Sequence, residues 1–363
     1  MLIGVPKEIK NHEYRVGLTP AGVQELVKHG HQVMIETNAG LAIGLTDALY
    51  HQAGAEIVDS AALVYAQAEL IVKVKEPQKQ ERQWLRAGQI LFTYLHLAAD
   101  VELTKDLIAS GASCIAYETV TDQSGGLPLL APMSEIAGRL AIQAGMHALE
   151  NPQGGRGVLL GGVPGVSAAK VVVIGGGVVG EQAARMAIGL GANTTVIDKS
   201  LDRLRQLDTH FGPQMKTIFA TQEAIEFAIS DADLIIGAVL IPGAKAPKLI
   251  TKAMLHLMQA GTVLVDVAID QGGCFETSKA TTHETPTYIE EGVIHYCVAN
   301  MPGAVAHTAT YALTNATLPF ILTLSNQGLI QALQQDNHLR QGLNIHQSHV
   351  MHQAVASAHD FPC

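Results

Sequence analysis

Four polar residues of this sequence have the chemistry to hold an acidic substrate and to move protons. Lys75, His96 and Asp270 each close an apolar run of the kind that forms a buried strand. A lysine there can stabilise negative charge on oxygen, a histidine with a pKa of about 6.5 can carry protons, and an aspartate can orient water or an amine. Arg15 precedes a predicted helix, and a guanidinium can hold a carboxylate through two parallel hydrogen bonds.

Each of these residues also has an ordinary structural explanation. A lysine at a strand end is usually a solvated charge, a histidine there is often half-buried, an aspartate often closes a turn, and an arginine usually lies on the surface. Open α/β sheets bind ligands beyond the carboxyl ends of their strands, where three of the four are expected. The pattern indicates a site without defining its substrate.

A glycine-rich turn near the middle of the chain predicts a dinucleotide site. The apolar run 171–174 leads into the pattern Gly-x-Gly-x-x-Gly, formed by Gly175, Gly177 and Gly180. A helical pattern follows, and a second apolar run ends at Asp198. Glycine triplets also occur in ordinary strand–helix turns. Here, however, both strands and the acid follow in the order and at the spacing of a dinucleotide-binding unit. Because Asp198 can bind a ribose hydroxyl and would repel a 2′-phosphate, the sequence favours NAD over NADP.

Strands that alternate with helices are expected to position these residues, and that order indicates parallel α/β sheets. A helix is predicted from Pro20, with Thr19 as N-cap, to a stop near Gly30. Helical spacing of apolar residues predicts further helices at 134–149 and 309–325. Apolar runs predict strands at 31–36, 70–74, 90–95, 113–117, 171–174, 194–198, 234–241 and 262–269.

The expected fold is α/β, with two Rossmann-like domains that each contain a mostly parallel sheet flanked by helices. Since the dinucleotide unit begins near residue 170, the cofactor domain is expected as an insertion in the substrate domain. The expected ranges are 1–128 and 307–363 for the substrate domain and 129–306 for the NAD-binding domain. The active site is then expected in the cleft between the domains.

Composition excludes several classes of protein. The chain has 363 residues, of which 48% are hydrophobic and 15% charged, so it is expected to fold into about two domains. The net charge of −10 argues against a nucleic-acid partner. The N-terminus lacks the features of a signal peptide, and no apolar run is long enough to span a bilayer. We expect a soluble cytoplasmic protein without a membrane partner.

Metal binding is not expected from the cysteines or histidines. Cys114, Cys274, Cys297 and Cys363 are far apart in the chain and are typical of isolated thiols in a reducing compartment. The histidines 346, 349 and 352 would share one flank if they lay on a helix, but no nearby cysteine or glutamate completes a tetrahedral set.

A series of long motifs covers nearly the whole chain in order: Pro6-Lys-Glu, Arg15-Val-Gly-Leu-Thr-Pro, Val74-Lys-Glu-Pro, Leu95-His-Leu-Ala, Leu130-Ala-Pro-Met-Ser-Glu, Gly154-Gly-Arg-Gly-Val-Leu-Leu-Gly-Gly-Val-Pro-Gly, Gly243-Ala-Lys-Ala-Pro-Lys, Asp266-Val-Ala-Ile-Asp-Gln-Gly-Gly-Cys, Cys297-Val-Ala-Asn-Met-Pro-Gly and Tyr311-Ala-Leu-Thr-Asn-Ala-Thr. With these motifs the chain resembles the alanine dehydrogenase family, whose superfamily includes the nucleotide-binding subunit of proton-pumping transhydrogenase.

This resemblance implies reversible oxidative deamination of L-alanine to pyruvate and ammonium with NAD, by a homohexamer. It assigns His96 and Asp270 to catalysis, without saying which is the principal base. Substrate-binding residues implied in the same way are Arg15, Lys75, Tyr94, Met133 and Asn300. Cofactor-binding residues implied by the resemblance, together with the glycine turn, are Ser134, Gly175, Gly177, Val178, Gly180, Asp198, Arg203, Ala220, Val239, Leu240, Val267, Ile269, Asp270, Val298, Asn300 and Met301.

Three alternatives stay open at this point. A transhydrogenase subunit would bind NAD and dock to a membrane partner without an amino-acid site. A non-catalytic protein could use the same fold as an NAD-binding scaffold. A related dehydrogenase could act on a longer amino acid such as lysine or saccharopine, because the sequence does not fix the size of the pocket. The presence of Lys75, His96 and Asp270 together favours the alanine dehydrogenase reaction.

Overall fold

The computed structural model describes residues 1–239 and 246–362, and we number its elements in chain order. The strands are β1 (Leu2–Val5), β2 (Gln32–Glu36), β3 (Glu56–Val58), β4 (Leu70–Val72), β5 (Ile90–Thr93), β6 (Ser113–Ala116), β7 (Lys170–Ile174), β8 (Asn193–Asp198), β9 (Met215–Phe219), β10 (Leu234–Gly237), β11 (Val263–Asp266), β12 (Thr287–Glu290), β13 (Val293–Tyr296), β14 (Leu343–His346) and β15 (His349–Val350). The α-helices are α1 (Pro20–Lys28), α2 (Asp47–Gln52), α3 (Ala61–Gln67), α4 (Lys79–Arg82), α5 (Val101–Ser110), α6 (Ala131–Ala148), α7 (Val178–Gly189), α8 (Leu201–Phe211), α9 (Gln222–Ile229), α10 (Ala306–Gln335), α11 (Asn337–Gln341) and α12 (Gln353–His359).

The first sheet has the strand order β15-β14-β6-β5-β4-β1-β2-β3. The neighbours from β6 to β3 pair in parallel, whereas β14 runs antiparallel to both β6 and β15. The order of connection reverses at β1, which lies between β2 and β4. Such a reversal is the topological switch point of a doubly wound sheet, where ligands bind beyond the carboxyl ends of the strands.

The second sheet has the order β12-β13-β11-β10-β7-β8-β9 and is parallel apart from the β12–β13 pair. Its order of connection reverses at β7, between β8 and β10. Six successive strands of each sheet therefore follow the Rossmann order 3-2-1-4-5-6. The expected α/β fold with two mostly parallel sheets is confirmed.

Each sheet has its own apolar core. Strands of the second sheet such as β10 and β11 are buried at every position, which explains their continuous apolar sequences. One buried cluster surrounds the first sheet and includes Ile71, Leu91 and Ile345, and another surrounds the second sheet and includes Val172, Ile235 and Leu264.

The chain divides into two compact units. The first consists of Met1–Met133 together with the chain from Val305 onward, and the second is Ser134–Ala304. The chain therefore leaves the first unit once and returns to it once. Helix α6 begins in the first unit and continues into the second.

The helix predicted from Pro20 is confirmed as α1, and the Thr19 hydroxyl accepts a hydrogen bond from the Gly22 N–H. The helix predicted at 309–325 is longer in the structure, because two helical segments run together as α10. They join at Gly328, whose φ of 73° and ψ of 165° are not helical. The predicted strand 234–241 is described only to residue 239, and β10 ends at Gly237.

The three C-terminal histidines do not share a helix. His346 ends β14, His349 begins β15, and the turn between them places Gln347 and Ser348 in the left-handed region. Over residues 1–239 and 246–362, no group of three or more metal-ligating side chains is assembled. The helices of the same residues include none with the length and apolarity needed to cross a membrane.

Candidate active site

Arg15 is buried in the loop between β1 and α1, where only 2% of its surface is exposed. Its Nε donates to Glu13 Oε1 at 2.7 Å and its Nη2 to Glu13 Oε2 at 2.5 Å. Its Nη1 donates to the Met133 sulfur at 3.1 Å. Burial alone would lower the pKa of Arg15, but the hydrogen bonds and charge of Glu13 outweigh it and raise the pKa. The guanidinium is therefore permanently charged and held in one orientation.

Lys75 lies just beyond β4, beside the switch point of the first sheet. The Glu8 carboxylate accepts hydrogen bonds from the N–H of Val74 at 2.7 Å and of Lys75 at 3.4 Å. The Lys75 carbonyl accepts from the Thr93 hydroxyl at 3.0 Å. The backbone of Lys75 is thus fixed from both sides.

A buried charge cluster supports this segment. Lys73 Nζ lies 3.2 Å from Glu8 Oε2 and 2.8 Å from Glu81 Oε1, and the Tyr65 hydroxyl donates to the same Glu81 oxygen. Burial would lower the pKa of Lys73, but the two carboxylates outweigh it and raise the pKa. Burial raises the pKa of Glu8, against the opposing effect of Lys73. Our sequence analysis missed this cluster, although a lysine inside the apolar run 70–74 was a signal, because buried lysines need partners.

His96 follows β5 and adopts a left-handed backbone conformation, with φ of 52°. The Glu118 carboxylate holds this turn, since it accepts hydrogen bonds from the N–H of Leu95 at 3.2 Å and of His96 at 2.6 Å. The His96 side chain is 49% exposed. Its ring lies parallel to that of Tyr94, with 5.9 Å between centroids.

Tyr94 belongs to the same group. It is buried, and its hydroxyl donates to the Leu129 carbonyl at 2.5 Å. Burial raises the pKa of Tyr94, and the nearby Arg15 opposes this effect. The first unit therefore collects Arg15, Lys75, Tyr94, His96 and Met133 around the carboxyl ends of its central strands.

The glycine turn of the second unit lies at the switch point of the second sheet, between β7 and α7. Gly175 has a φ of 102°, which L side chains rarely adopt. A Cβ on Gly180 would lie 1.8 Å from the Gly175 carbonyl oxygen, so helix and turn pack too closely for any side chain. Within the described residues, no atom lies within 4 Å of a Cβ built on Gly177. That open space beside the N-terminus of α7 fits a diphosphate.

Asp198 ends β8 and faces the same turn. Its carboxylate accepts hydrogen bonds from the N–H of Gly176 at 2.6 Å and of Ser200 at 2.7 Å. Arg203 Nε donates to the Gly176 carbonyl at 2.5 Å, and its Nη2 pairs with Glu181. Burial would raise the pKa of Glu181, but Arg203 outweighs it and lowers the pKa. An acid is thus placed where a ribose of a bound dinucleotide would lie.

Asp270 is exposed on a short 3-10 turn, Ile269–Gln271, that follows β11. The strand itself ends at Asp266, three residues before the end of the predicted strand 262–269, because the chain turns at Val267. Most other predicted cofactor residues also follow strand ends or begin helices of this unit: Ser134, Val178, Ala220, Val239, Val267, Ile269, Val298, Asn300 and Met301. Leu240 lies outside the described residues.

The predicted residues therefore form two groups, one in each unit. Glu8, Glu13, Lys73 and Glu118 were missed by our sequence analysis. Glu8 and Glu118 are recognised as partners only when distant segments are brought together. The contact of Glu13 with Arg15 depends on the loop conformation, and Lys73 had a signal in its position inside an apolar run.

Two doubly wound sheets, a glycine turn at one switch point and an acid at the end of the following strand define a dinucleotide-binding α/β protein. Sequence profiles of known families agree. Residues 4–137 match the profile "Alanine dehydrogenase/PNT, N-terminal domain", and residues 141–353 match "Alanine dehydrogenase/PNT, C-terminal domain". The chain belongs to the alanine dehydrogenase/PNT family, which confirms the resemblance seen in the sequence.

Individual relatives cover almost the full chain. It is 62% identical to an alanine dehydrogenase of Halomonas elongata, over 99% of this chain and 96% of the relative. It is 56% identical to an alanine dehydrogenase of Bacillus subtilis, over 98% of this chain and 94% of that relative. A solved L-alanine dehydrogenase structure superposes with a TM-score of 0.95 at 53% identity, covering 99% of both chains. A transhydrogenase structure from Sinorhizobium meliloti superposes with a TM-score of 0.81 at 26% identity, covering 98% of this chain and all of the other.

Proposed function

We propose that the protein catalyses the reversible oxidative deamination of L-alanine with NAD and water, which gives pyruvate, ammonium, NADH and a proton. The observation that carries the substrate assignment is the 62% identity, over 99% of this chain, with a relative named alanine dehydrogenase. The candidate catalytic groups Lys75, His96 and Asp270 are all present, as this reaction requires. The open space at Gly177 and the acid at Asp198 fit NAD as the cofactor.

Bound NAD supplies the hydride acceptor at its nicotinamide. We propose that Arg15 holds the substrate carboxylate, because its charge is permanent and its orientation is fixed by Glu13. Lys75 stabilises negative charge on the carbonyl or carbinolamine oxygen.

His96 and Asp270 manage the protons and the water that converts the imine to pyruvate and ammonium. The exposed imidazole of His96 can accept a proton from the substrate or donate one to it. The exposed carboxylate of Asp270 can orient the water or the amine and can stabilise cationic intermediates. Either residue can serve as the principal base.

We also propose that the protein is a homohexamer that works in the cytoplasm. The resemblance to the family supports the hexamer. An exposed apolar segment that contains Leu159, Val163 and Val166 supports assembly, since side chains of this kind gain from burial against a second copy. Light scattering of the protein as it elutes from a size-exclusion column measures the mass of the oligomer. A mass other than that of six chains would contradict the proposed hexamer.

The reaction is tested by NADH oxidation with ammonium and a series of oxo acids. We expect turnover with pyruvate and with acids of similar size such as glyoxylate, and little or none with longer acids. Omission of ammonium is the control. Turnover only with long oxo acids would assign a different amino acid, and no ammonium-dependent turnover with any acid would exclude a dehydrogenase of this kind.

The catalytic residues are tested by His96→Ala and Asp270→Asn. We expect each variant to lose kcat by on the order of 100-fold or more, as is usual when a general acid or base is removed. NADH should still bind to both, measured by its fluorescence, because the glycine turn is unchanged. Near-normal kcat in both variants would reject this site.

A further inference from the structure

The loop that carries Asp270 is held by hydrogen bonds on two sides. It leaves β11 at Asp266, passes through the turn Ile269–Gln271, and continues through Gly272 and Gly273, which both have left-handed backbones. Asp270 itself is exposed, whereas Asp266, Ala268 and Cys274, which lie on either side of it in the loop, are buried. The position of the Asp270 carboxylate is therefore determined by the anchors of the loop.

The Asp266 carboxylate is the first anchor, and it is fully buried. Its Oδ1 accepts a hydrogen bond from the Ala268 N–H at 3.0 Å, on the entry side of the loop. Its Oδ2 accepts from the Cys274 N–H at 2.8 Å, the Phe275 N–H at 3.3 Å and the Ser278 hydroxyl at 2.5 Å, on the exit side. One side chain thus ties both ends of the loop together.

The Lys248 ammonium is the second anchor. It donates to the carbonyl oxygens of Gly272 at 2.6 Å, Gly273 at 2.8 Å and Phe275 at 3.0 Å. These three acceptors match the three protons of the ammonium group. Two backbone hydrogen bonds strengthen the pairing, from the N–H of residue 246 to the carbonyl of 271 and from 249 to 274.

The glycines fit this arrangement. A Cβ on Gly273 would lie 2.6 Å from Asp266 Oδ2, so the carboxylate occupies the space that a side chain would need. Buried carboxylates are costly and persist where their hydrogen bonds are satisfied. An apolar residue at position 266 could not collect the N–H groups of Ala268, Cys274 and Phe275.

We propose that Asp266 and Lys248 are positioning residues that fix the Asp270 carboxylate for the reaction. This inference rests on the proposed catalytic role of Asp270. Asp266 acts from within the core, and Lys248 acts on the backbone of the loop. A catalytic group displaced by about 1 Å can lose on the order of 100-fold in rate, so anchors of this kind control kcat through geometry.

The first test is Lys248→Met, which keeps most of the side-chain length and removes the three donors. We expect kcat, measured with saturating pyruvate, ammonium and NADH, to fall by about 10- to 100-fold. The melting temperature should change little, because Lys248 is an exposed residue. Lys252→Met is the matched control, since Lys252 is a nearby exposed lysine that pairs with Glu290 and Glu291 instead. We expect it to keep the wild-type kcat.

Asp266→Asn is the second variant. It replaces one acceptor oxygen by an N–H donor that opposes the donors of the loop, so we expect a larger loss of kcat than for Lys248→Met. If this variant does not fold, Lys248→Met alone decides the question. A lowered melting temperature with unchanged kcat in the folded variants would show a purely structural role and overturn the proposal.

A double-mutant cycle separates positioning from a direct role. If Lys248 acts through Asp270, Lys248→Met should cause no further loss of kcat in the Asp270→Asn background. An equal loss in both backgrounds would overturn the proposal while leaving Asp270 catalytic. A wild-type kcat for Asp270→Asn alone would instead remove Asp270 from the proposed function, and the inference with it. The single and double variants thus distinguish the two failures.

Discussion

Lys73 carries one of the most deeply buried charges among the described residues of the first unit. It is 1% exposed and lies between Glu8 and Glu81, whose carboxylates also bind backbone N–H groups near Lys75 and at the start of α4. Burying such a cluster costs desolvation energy that a set of apolar residues would not. Through Glu8, the cluster fixes the backbone of Val74 and Lys75, the segment that we propose binds the substrate.

Replacing Lys73 with methionine should therefore destabilise the first unit by about 3–5 kcal/mol, because two carboxylates would be left without their buried partner. Trp84, the single tryptophan, packs against Tyr65 of the same cluster, so its fluorescence in urea reports unfolding of this unit. Lys105→Met is the control, since Lys105 pairs with Glu102 at the exposed surface of α5. Equal stability of the two variants would contradict this account.

The effect of Lys73 should also depend on pH. Because its pKa is raised in the folded protein, the stability it contributes is complete below the ordinary lysine pKa of about 10.4 and is lost as pH rises through the raised value. The difference in stability between the wild type and Lys73→Met should accordingly stay constant from neutral pH to about 10 and narrow above it.

At the scale of elements, the structure explains why the glycine turn could be recognised from the spacing of its glycines. Gly175, Gly177 and Gly180 each meet a separate local requirement: a left-handed backbone, open space for a ligand, and contact with the preceding strand. Local requirements of this kind act over a few residues and leave a pattern. Partners such as Glu8 and Glu118 leave none, because their roles depend on segments that meet only in the folded sheet.

Two glycines of helix α7 provide a matched test. Gly180→Ala places a Cβ 1.8 Å from the Gly175 carbonyl oxygen, so we expect weaker NADH binding and a lower melting temperature. Gly189 lies at the end of the same helix, and no described atom lies within 4 Å of a Cβ built there. Gly189→Ala should leave NADH binding unchanged and stabilise the protein by about 0.5–1 kcal/mol. NADH fluorescence titration and thermal unfolding check both; similar behaviour of the two variants would disprove the close-packing role of Gly180.

Element types were easier to predict than element limits. The apolar runs predicted eight of the fifteen strands of the described residues, since a strand buried on both faces has a continuous apolar sequence. The strands that were not predicted are β1, β3, β9, β12, β13, β14 and β15. The end of α10 and the arrangement of His346 and His349 were not predictable in the same way. Gly328 interrupts α10 without ending it, and the two histidines lie in a hairpin that pairs with β6 across more than 200 residues of chain.

At the scale of the whole molecule, the two units differ in continuity. The second unit is one stretch of chain with its own sheet and apolar core. The first is assembled from two stretches, because β14 and β15 complete its sheet from the C-terminal part of the chain. The residues proposed to bind the cofactor at the glycine turn lie in the continuous unit, whereas Arg15, Lys75 and His96 lie in the assembled one.

A fragment of residues 131–304, which keeps α6 whole, should therefore fold alone and bind NADH, because its core and glycine turn are contained within it. It should show no ammonium-dependent turnover, since it lacks Arg15, Lys75 and His96. Circular dichroism with thermal unfolding and NADH fluorescence test these expectations. A fragment of residues 1–130 is the control and should not fold, because β6 would lose β14 as its neighbour. Failure of 131–304 to fold or to bind NADH would show that the core of the second unit depends on the first.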